Sequence, residues 1–182
     1  MDSIDSQQFL TNVATNIVED SAKNAWNKIK KFFKDLDTKD SIRYKTAYEK
    51  YLINTKQKVS KIKTIIYRRA PKDLYSFYEC IGVRYNGNTI NTENDILKVG
   101  NKIIVTGTGG VGKSILFKHL FLNTVAETEY IPVLIELRSF NIYDVKDISI
   151  YTAIYKCLVD NGFELSEEYF EYSLRGGIYN FL

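Results

Sequence analysis

The sequence predicts an α/β protein: a helical amino-terminal region, then part of a three-layer domain built on a parallel sheet. Three observations carry that expectation. Apolar residues recur at helical spacing through the first third of the chain. From Lys102 onward, short apolar runs alternate with helical patterns. A glycine-rich loop joins the first of those runs to the first of those helices. With 182 residues the chain makes one domain of ordinary size, or a small domain with part of a larger one.

Composition narrows the classes. Hydrophobic residues make up 45% and charged residues 26%, which is globular rather than disordered usage. No run approaches the roughly 18–20 apolar residues of a membrane span. The first 25 residues are acidic and polar (Asp2, Asp5, Gln7, Gln8, Glu19, Asp20) and lack the basic start and apolar block of a secretory signal. Cys80 and Cys157 stand 77 positions apart with no CxxC, so zinc-ribbon, haem-attachment and disulfide-scaffold patterns all fail. The expectation is a reduced, cytoplasmic protein. The net charge of +3 is uneven: residues 1–69 hold 15 Lys/Arg against 8 Asp/Glu, whereas residues 70–182 hold 10 against 14. That asymmetry suggests regions with different jobs.

Taken in order, residues 1–59 read as a helical module. Phe9, Val13, Ile17, Ala22, Trp26, Ile29, Phe33 and Leu36 form one stripe, with Lys23, Lys28, Lys30, Lys31 and Lys34 opposite. Thr38-Lys39-Asp40 reads as a break, and a second helix is expected over Ser41–Lys58 on the stripe Tyr44, Ala47, Tyr48, Tyr51 and Leu52. Residues 60–100 read as a linker subdomain with small strands: Ile62–Tyr67, the extended stretch Leu74–Tyr78, and Cys80–Tyr85 before the turn Asn86-Gly87-Asn88. Asp95–Val99 is ambiguous.

Residues 101–182 follow an α/β pattern. Ile103–Val105 is a buried-strand run, and a helix follows over Lys113–Asn123 with Ile115, Leu116, Leu120, Phe121 and Val125 inward. Ile131–Leu137 is a second buried strand, with Pro132 near its start where a missing N–H is tolerated. Helices are expected over Ile148–Val159, stopped at Asn161-Gly162, and over Ser166–Leu174, with Ser166 as N-cap and Glu167-Glu168 in the first turn. Gly176-Gly177 ends the last helix, and Ile178–Leu182 opens a third strand.

One motif carries chemistry. Gly107-Thr108-Gly109-Gly110-Val111-Gly112-Lys113-Ser114 matches G-x-x-x-x-G-K-[ST], the P-loop or Walker A pattern. Glycines let successive N–H groups turn inward as an anion nest, and the helix N-terminus behind them favours phosphate. Lys113 is placed to reach the β- and γ-phosphates, and the Ser114 hydroxyl to hold Mg²⁺. Ile115 completes the candidate nucleotide-binding set. A chance match in a chain of this length has odds of about one percent, and the strand-before, helix-after context is the one the motif requires.

Other candidates carry less. His119, five residues past Ser114, has no partner in the sequence for metal or nucleophilic chemistry and reads as packing or surface. Cys157 falls in an apolar helix stripe and reads as core, as does Cys80. Tyr67, Tyr75, Tyr78 and Tyr85 read as packing within the linker, and Glu127 and Glu129 as solvated. Arg138 lies where ligands gather in parallel sheets, at the carboxyl end of a strand. A hydrolytic P-loop enzyme also needs an acidic residue at the end of a later strand. Glu136 runs into Leu137-Arg138-Ser139, and Tyr179-Asn180-Phe181-Leu182 ends before any acid. Catalytic residues are therefore unassigned.

The block Lys102–Ser114, followed after a helix by Ile131-Pro132-Val133-Leu134-Ile135-Glu136-Leu137-Arg138, resembles the NACHT domain of signal-transduction (STAND) ATPases. Residues before the P-loop resemble, less specifically, the amino-terminal segments of bacterial NACHT proteins of antiphage defence. The resemblance implies a P-loop NTPase domain that is only partly present, an amino-terminal fragment stopping before the Walker B acids. It also implies ATP and Mg²⁺ as ligands, and a slow ATPase in the whole protein whose nucleotide state controls self-association and signalling. Other readings stand beside it. One is a P-loop kinase or GTPase, although no N-K-x-D guanine-reading segment occurs. Another is a basic helical module for nucleic acid or membrane surface, gated by the P-loop domain and motivated by Lys28, Lys30, Lys31 and Lys34.

Overall fold

The computed structural model describes residues 38–63, 70–79, 82–90, 93–128, 130–141 and 149–182. The expected helix over Phe9–Leu36 with its lysines, the run Thr64–Arg69 with Tyr67, Cys80 and Glu129 lie outside the described residues.

Helix α1 spans Thr38–Val59, longer than the sequence suggested, so Thr38-Lys39-Asp40 is its opening turn and not a break. No glycine or proline interrupts it. Asp40 stands in the first turn, with Lys56 and Lys58 in the last, each at the favourable end of the helix dipole. Its expected stripe holds: Tyr44, Ala47, Tyr48, Tyr51 and Leu52 are all buried, and Thr55 and Val59 continue it.

The linker region is built from short antiparallel pairs. β1 (Lys61–Ile62) pairs with β2 (Lys72–Asp73), and β3 (Val83–Tyr85) with β4 (Asn88–Ile90). Asn86 and Gly87 join the second pair with φ of 49° and 81°, the doubly positive turn that matches strand twist. Leu74–Ser76 is not extended as expected. It is a 3₁₀ turn, because Asp73 accepts a hydrogen bond from the Tyr75 N–H at 2.9 Å and caps it. The ambiguous stretch near Asp95 is a single-turn helix, α2 (Glu93–Ile96).

Helix α3 runs Lys113–Glu127 behind the glycine loop. β5 (Ile131–Val133) follows, then α4 (Ile150–Val159), α5 (Glu167–Arg175) and β6 (Tyr179–Phe181), which returns parallel to β5 through the helical crossover. Ser149 caps α4 through the Thr152 N–H, whereas Ser166 stands at the N-cap of α5 without a side-chain bond.

The sheet is smaller than expected. Among the described residues the only parallel ladder is the β5–β6 pair, and no three-layer parallel sheet forms. Ile103–Val105 is not a buried strand: it makes no ladder, and Ile104 is 90% exposed. The apolar run had implied neighbours on both sides, and none of the described segments supplies them. β5 also ends earlier than Leu137, which belongs to an exposed 3₁₀ turn, Leu137–Phe140.

One core holds these pieces together. Tyr44, Tyr48, Tyr51 and Leu52 of α1 pack with Phe121 of α3, Ile131 and Val133 of β5, Phe163, Phe170 of α5, and Ile178 and Tyr179. A second cluster seats Ile96 against Leu116 and Leu120 of α3. β5 is an edge strand whose odd-numbered residues bond to β6: Ile131 N–H donates to Ile178 O at 2.7 Å and Ile135 N–H to Leu182 O at 3.1 Å. The nitrogen of buried Pro132 therefore points away from β6, where its missing N–H costs no ladder bond. Its carbonyl accepts the Tyr51 hydroxyl at 2.8 Å instead. Helix α1 thus closes the edge of β5 with a side chain where another strand would have stood.

Candidate functional site

The loop Gly107–Ser114 leaves the extended run Ile103–Val105 and enters α3 directly. Gly112, the N-cap of α3, has φ 95° and ψ 11°, and Gly110 has φ 79°. Left-handed backbone costs a side-chain-bearing residue about 1–2 kcal/mol, so glycine at these two positions is a geometric requirement. A Cβ on Gly109 or Gly110 would meet nothing within 4 Å, which leaves open space over the loop for a ligand. Gly107 serves closure instead: a Cβ there would lie 3.1 Å from Val111 Cγ1.

The helix behind the loop starts sharply. Ile115 and Leu116 both donate their N–H to Gly112 O at 2.9 Å. The N–H groups just before them have no carbonyl one turn back and mark the positive end of the dipole. Lys113 Nζ folds across the loop and donates to Gly107 O at 2.7 Å and Thr108 O at 2.8 Å. Phosphate oxygens are stronger, charged acceptors and would displace those carbonyls from the ammonium. Ser114 is exposed at the first turn, and Ile115 is half-buried against the main core. The expected nucleotide-binding residues from Gly107 to Ile115 thus form one continuous surface at a helix N-terminus. These features fit a phosphate chain, with the Ser114 hydroxyl available as a hard oxygen donor to its cation.

The remaining candidates stand elsewhere. Arg138 Nε pairs with Glu136 Oε2 at 3.5 Å on the exposed turn after β5. Glu136 lines a depression of about 130 Å³ with Thr55, Lys58, Lys118, Cys157 and Asp160, and no residue of the glycine loop borders it. Cys157 Sγ donates to Leu134 O at 3.3 Å, and burial pushes its thiol up to about 11, which keeps it protonated and unreactive at neutral pH. His119 is a packing residue. It is buried, takes a 2.9 Å hydrogen bond at Nε2 from Asn123, and stacks on Tyr78 with ring centres 4.4 Å apart. Tyr75 meets the same imidazole edge-on at 5.7 Å. Nothing in the sequence pairs Tyr78 with a histidine 41 positions away; only the fold brings them together. Among the described residues no group of three His, Cys, Asp or Glu side chains is placed to hold a metal ion.

Comparison of the chain with family models, with curated proteins and with solved structures returned no match. Among the described residues no helix is long and apolar enough to cross a membrane.

Proposed function

We propose that the chain carries the phosphate-binding part of an ATP-dependent regulatory switch of the NACHT/STAND type. The observation that carries this reading is the pairing of left-handed Gly110 and Gly112 with the Lys113 ammonium at the foot of α3. In this reading the loop amides and Lys113 hold the nucleotide phosphates, and Ser114 contributes to the Mg²⁺ shell. Nucleotide binding biases self-association, and the amino-terminal region delivers the signalling or defence output. The tyrosines of α1, packed on the same core as α3, supply a rigid connection between the two regions. In this reading the residues assigned are those of nucleotide binding, and no catalytic residue is assigned.

Titration of a fluorescent ATP analogue against the native chain and Lys113→Ala tests the assignment. Loss of one charge-assisted phosphate contact, worth about 1.5–3 kcal/mol, weakens binding roughly 10- to 150-fold. Equal affinities would remove the loop from the binding site. A phosphate-release signal that disappears in Lys113→Ala would instead show a catalytic acid within the chain, with Glu136 the first to replace.

A further inference from the structure

Two lysines and two carboxylates from four separate parts of the chain border the depression of about 130 Å³ beside Cys157. Lys58 stands in the last turn of α1, Lys118 within α3, Glu136 just past β5, and Asp160 at the C-cap of α4. Glu136 reaches Arg138 at 3.5 Å. Lys58, Lys118 and Asp160 make no ion pair among the described residues. Burial is the main influence on the Cys157 thiol, and Lys58, Asp160 and Glu136 act on it next, so these three charges stand around one point.

Asp160 is the unexpected member. It closes the carboxyl end of α4, the negative pole of the helix, where a carboxylate is disfavoured and a cation is favoured. The four bordering charges sum to zero. A lone anion on the lysines would also face Glu136 and Asp160, and a lone cation on the carboxylates would face Lys58 and Lys118. A molecule that carries both signs meets neither repulsion. A divalent cation is a poor occupant, because among the described residues Glu136, Asp160 and Cys157 form no group placed to hold one. Size narrows the class further. About 130 Å³ is the room of roughly four waters, well below the roughly 300 Å³ at which pockets for drug-sized ligands begin. Val59 and Leu134 line the same space and supply apolar surface between the charges.

We infer that the depression bordered by Lys58, Lys118, Glu136 and Asp160 binds a free α-amino acid with a short, uncharged side chain. The lysines take its carboxylate, the two acids take its ammonium group, and Val59 and Leu134 meet its side chain. Charge-assisted hydrogen bonds of both signs are the strong contacts open to so small a ligand. Once bound, it ties the last turn of α1 to α3 and to the end of α4. No residue of the glycine loop borders the site, so it stands or falls independently of nucleotide binding.

The test is an NMR titration of the isotope-labelled whole chain with L-valine. Isovalerate and isobutylammonium, which keep the side chain and one head group each, are titrated in parallel. L-valine should saturate with a dissociation constant of about 1 mM or below, moving the amides of Ser139 and Asn161, and each analogue should bind at least about tenfold more weakly. Asp160→Asn removes a partner of the ammonium group and Lys58→Gln a partner of the carboxylate. Each should weaken L-valine about tenfold or more. No saturable shift up to about 10 mM overturns the inference, as do shifts confined to other parts of the chain. Unchanged affinity in either variant overturns it as well. Isovalerate binding as tightly as L-valine would make this an anion site and likewise overturns it. Both replaced side chains are exposed, and circular dichroism of each variant checks that the fold is retained.

Discussion

The phenol oxygens of Tyr48 in α1 and Tyr179 in β6 lie 2.5 Å apart, 131 residues distant in sequence and buried in the same core. Each hydroxyl is the other's hydrogen-bond partner, so neither is left unsatisfied among the surrounding aromatic rings, Phe163 beside Tyr48 and Phe170 beside Tyr179. Tyr44 and Tyr51, on the same face of α1, donate to Tyr169 O at 3.0 Å and Pro132 O at 2.8 Å. Three successive hydroxyls thus seat one helix on α5, β6 and β5.

Removing one member of the buried pair strands the other. Tyr48→Phe and Tyr179→Phe are each expected to lower stability by about 1–3 kcal/mol in urea denaturation. The double Phe variant should lose clearly less than the two single losses combined, because no orphan hydroxyl remains. Strict additivity would mean that the two phenols do not bond.

Alkaline pH tests the same helix differently. Burial, the largest cause in each case, pushes the Tyr44 phenol up to about 12 and holds those of Tyr48, Tyr51 and Tyr179 well above the ordinary value. Unfolded phenols ionise near pH 10. Below that pH both states keep their protons and these groups contribute in full. Above it the unfolded chain releases protons that the folded chain retains, so stability falls as pH rises from about 10. Phenolate absorbance of the 14 tyrosines should therefore rise in two steps, the later one coinciding with loss of helical circular dichroism. A single step with the helical signal intact would place these tyrosines at the surface.

Gly162 reports on how α1 meets the turn after α4. Its φ is 100°, and a Cβ there would lie 2.5 Å from Asn54 Nδ2 and 3.1 Å from Lys50 Cγ, both on α1. Asn54 donates to Asn161 O at 3.1 Å across the same contact, and Lys50 pairs with Glu164 beside it. Gly162→Ala combines backbone strain with a clash and should cost about 2 kcal/mol or more. Gly177→Ala, with φ 67° and open space, should cost only the strain, about 1 kcal/mol. Equal losses would show that α1 does not rest on this turn.

Amide exchange separates bonded from open edges. Ile131, Ile135 and Leu182 donate N–H across the β5–β6 ladder and should be protected. The register turns the Tyr179 and Phe181 N–H groups to the opposite edge, toward a cleft of about 290 Å³ that Ile103 and Val105 border. Those two amides and that of Ile104 should exchange fast in the monomer. Equal protection at Ile104 and Ile131 would mean that the run before the glycine loop is paired after all.

Much of this architecture was readable residue by residue. The stripe of α1, the turn at Asn86-Gly87, the stop at Asn161-Gly162 and the glycine loop follow from helical period, positive-φ chemistry and motif spacing, all of which act over a few residues. The reading failed where a neighbour from far along the chain decided the outcome. Ile103-Ile104-Val105 has the composition of a buried strand, but burial depends on what lies beside it, and Ile104 faces solvent. Leu74–Tyr78 has strand-like composition, yet a cap from Asp73 and contact with His119 make it a turn carrying a ring platform.

The candidate sites divide the same way. Sequence alone singled out the glycine loop Gly107–Ser114, because its pattern resides in consecutive residues whose φ angles and amides are local properties. Tertiary structure alone placed Tyr75 and Tyr78 against His119, and Tyr51 on the carbonyl of Pro132. A side chain records its own polarity and period in the sequence, but not the partner that ladder register and helix packing bring to it.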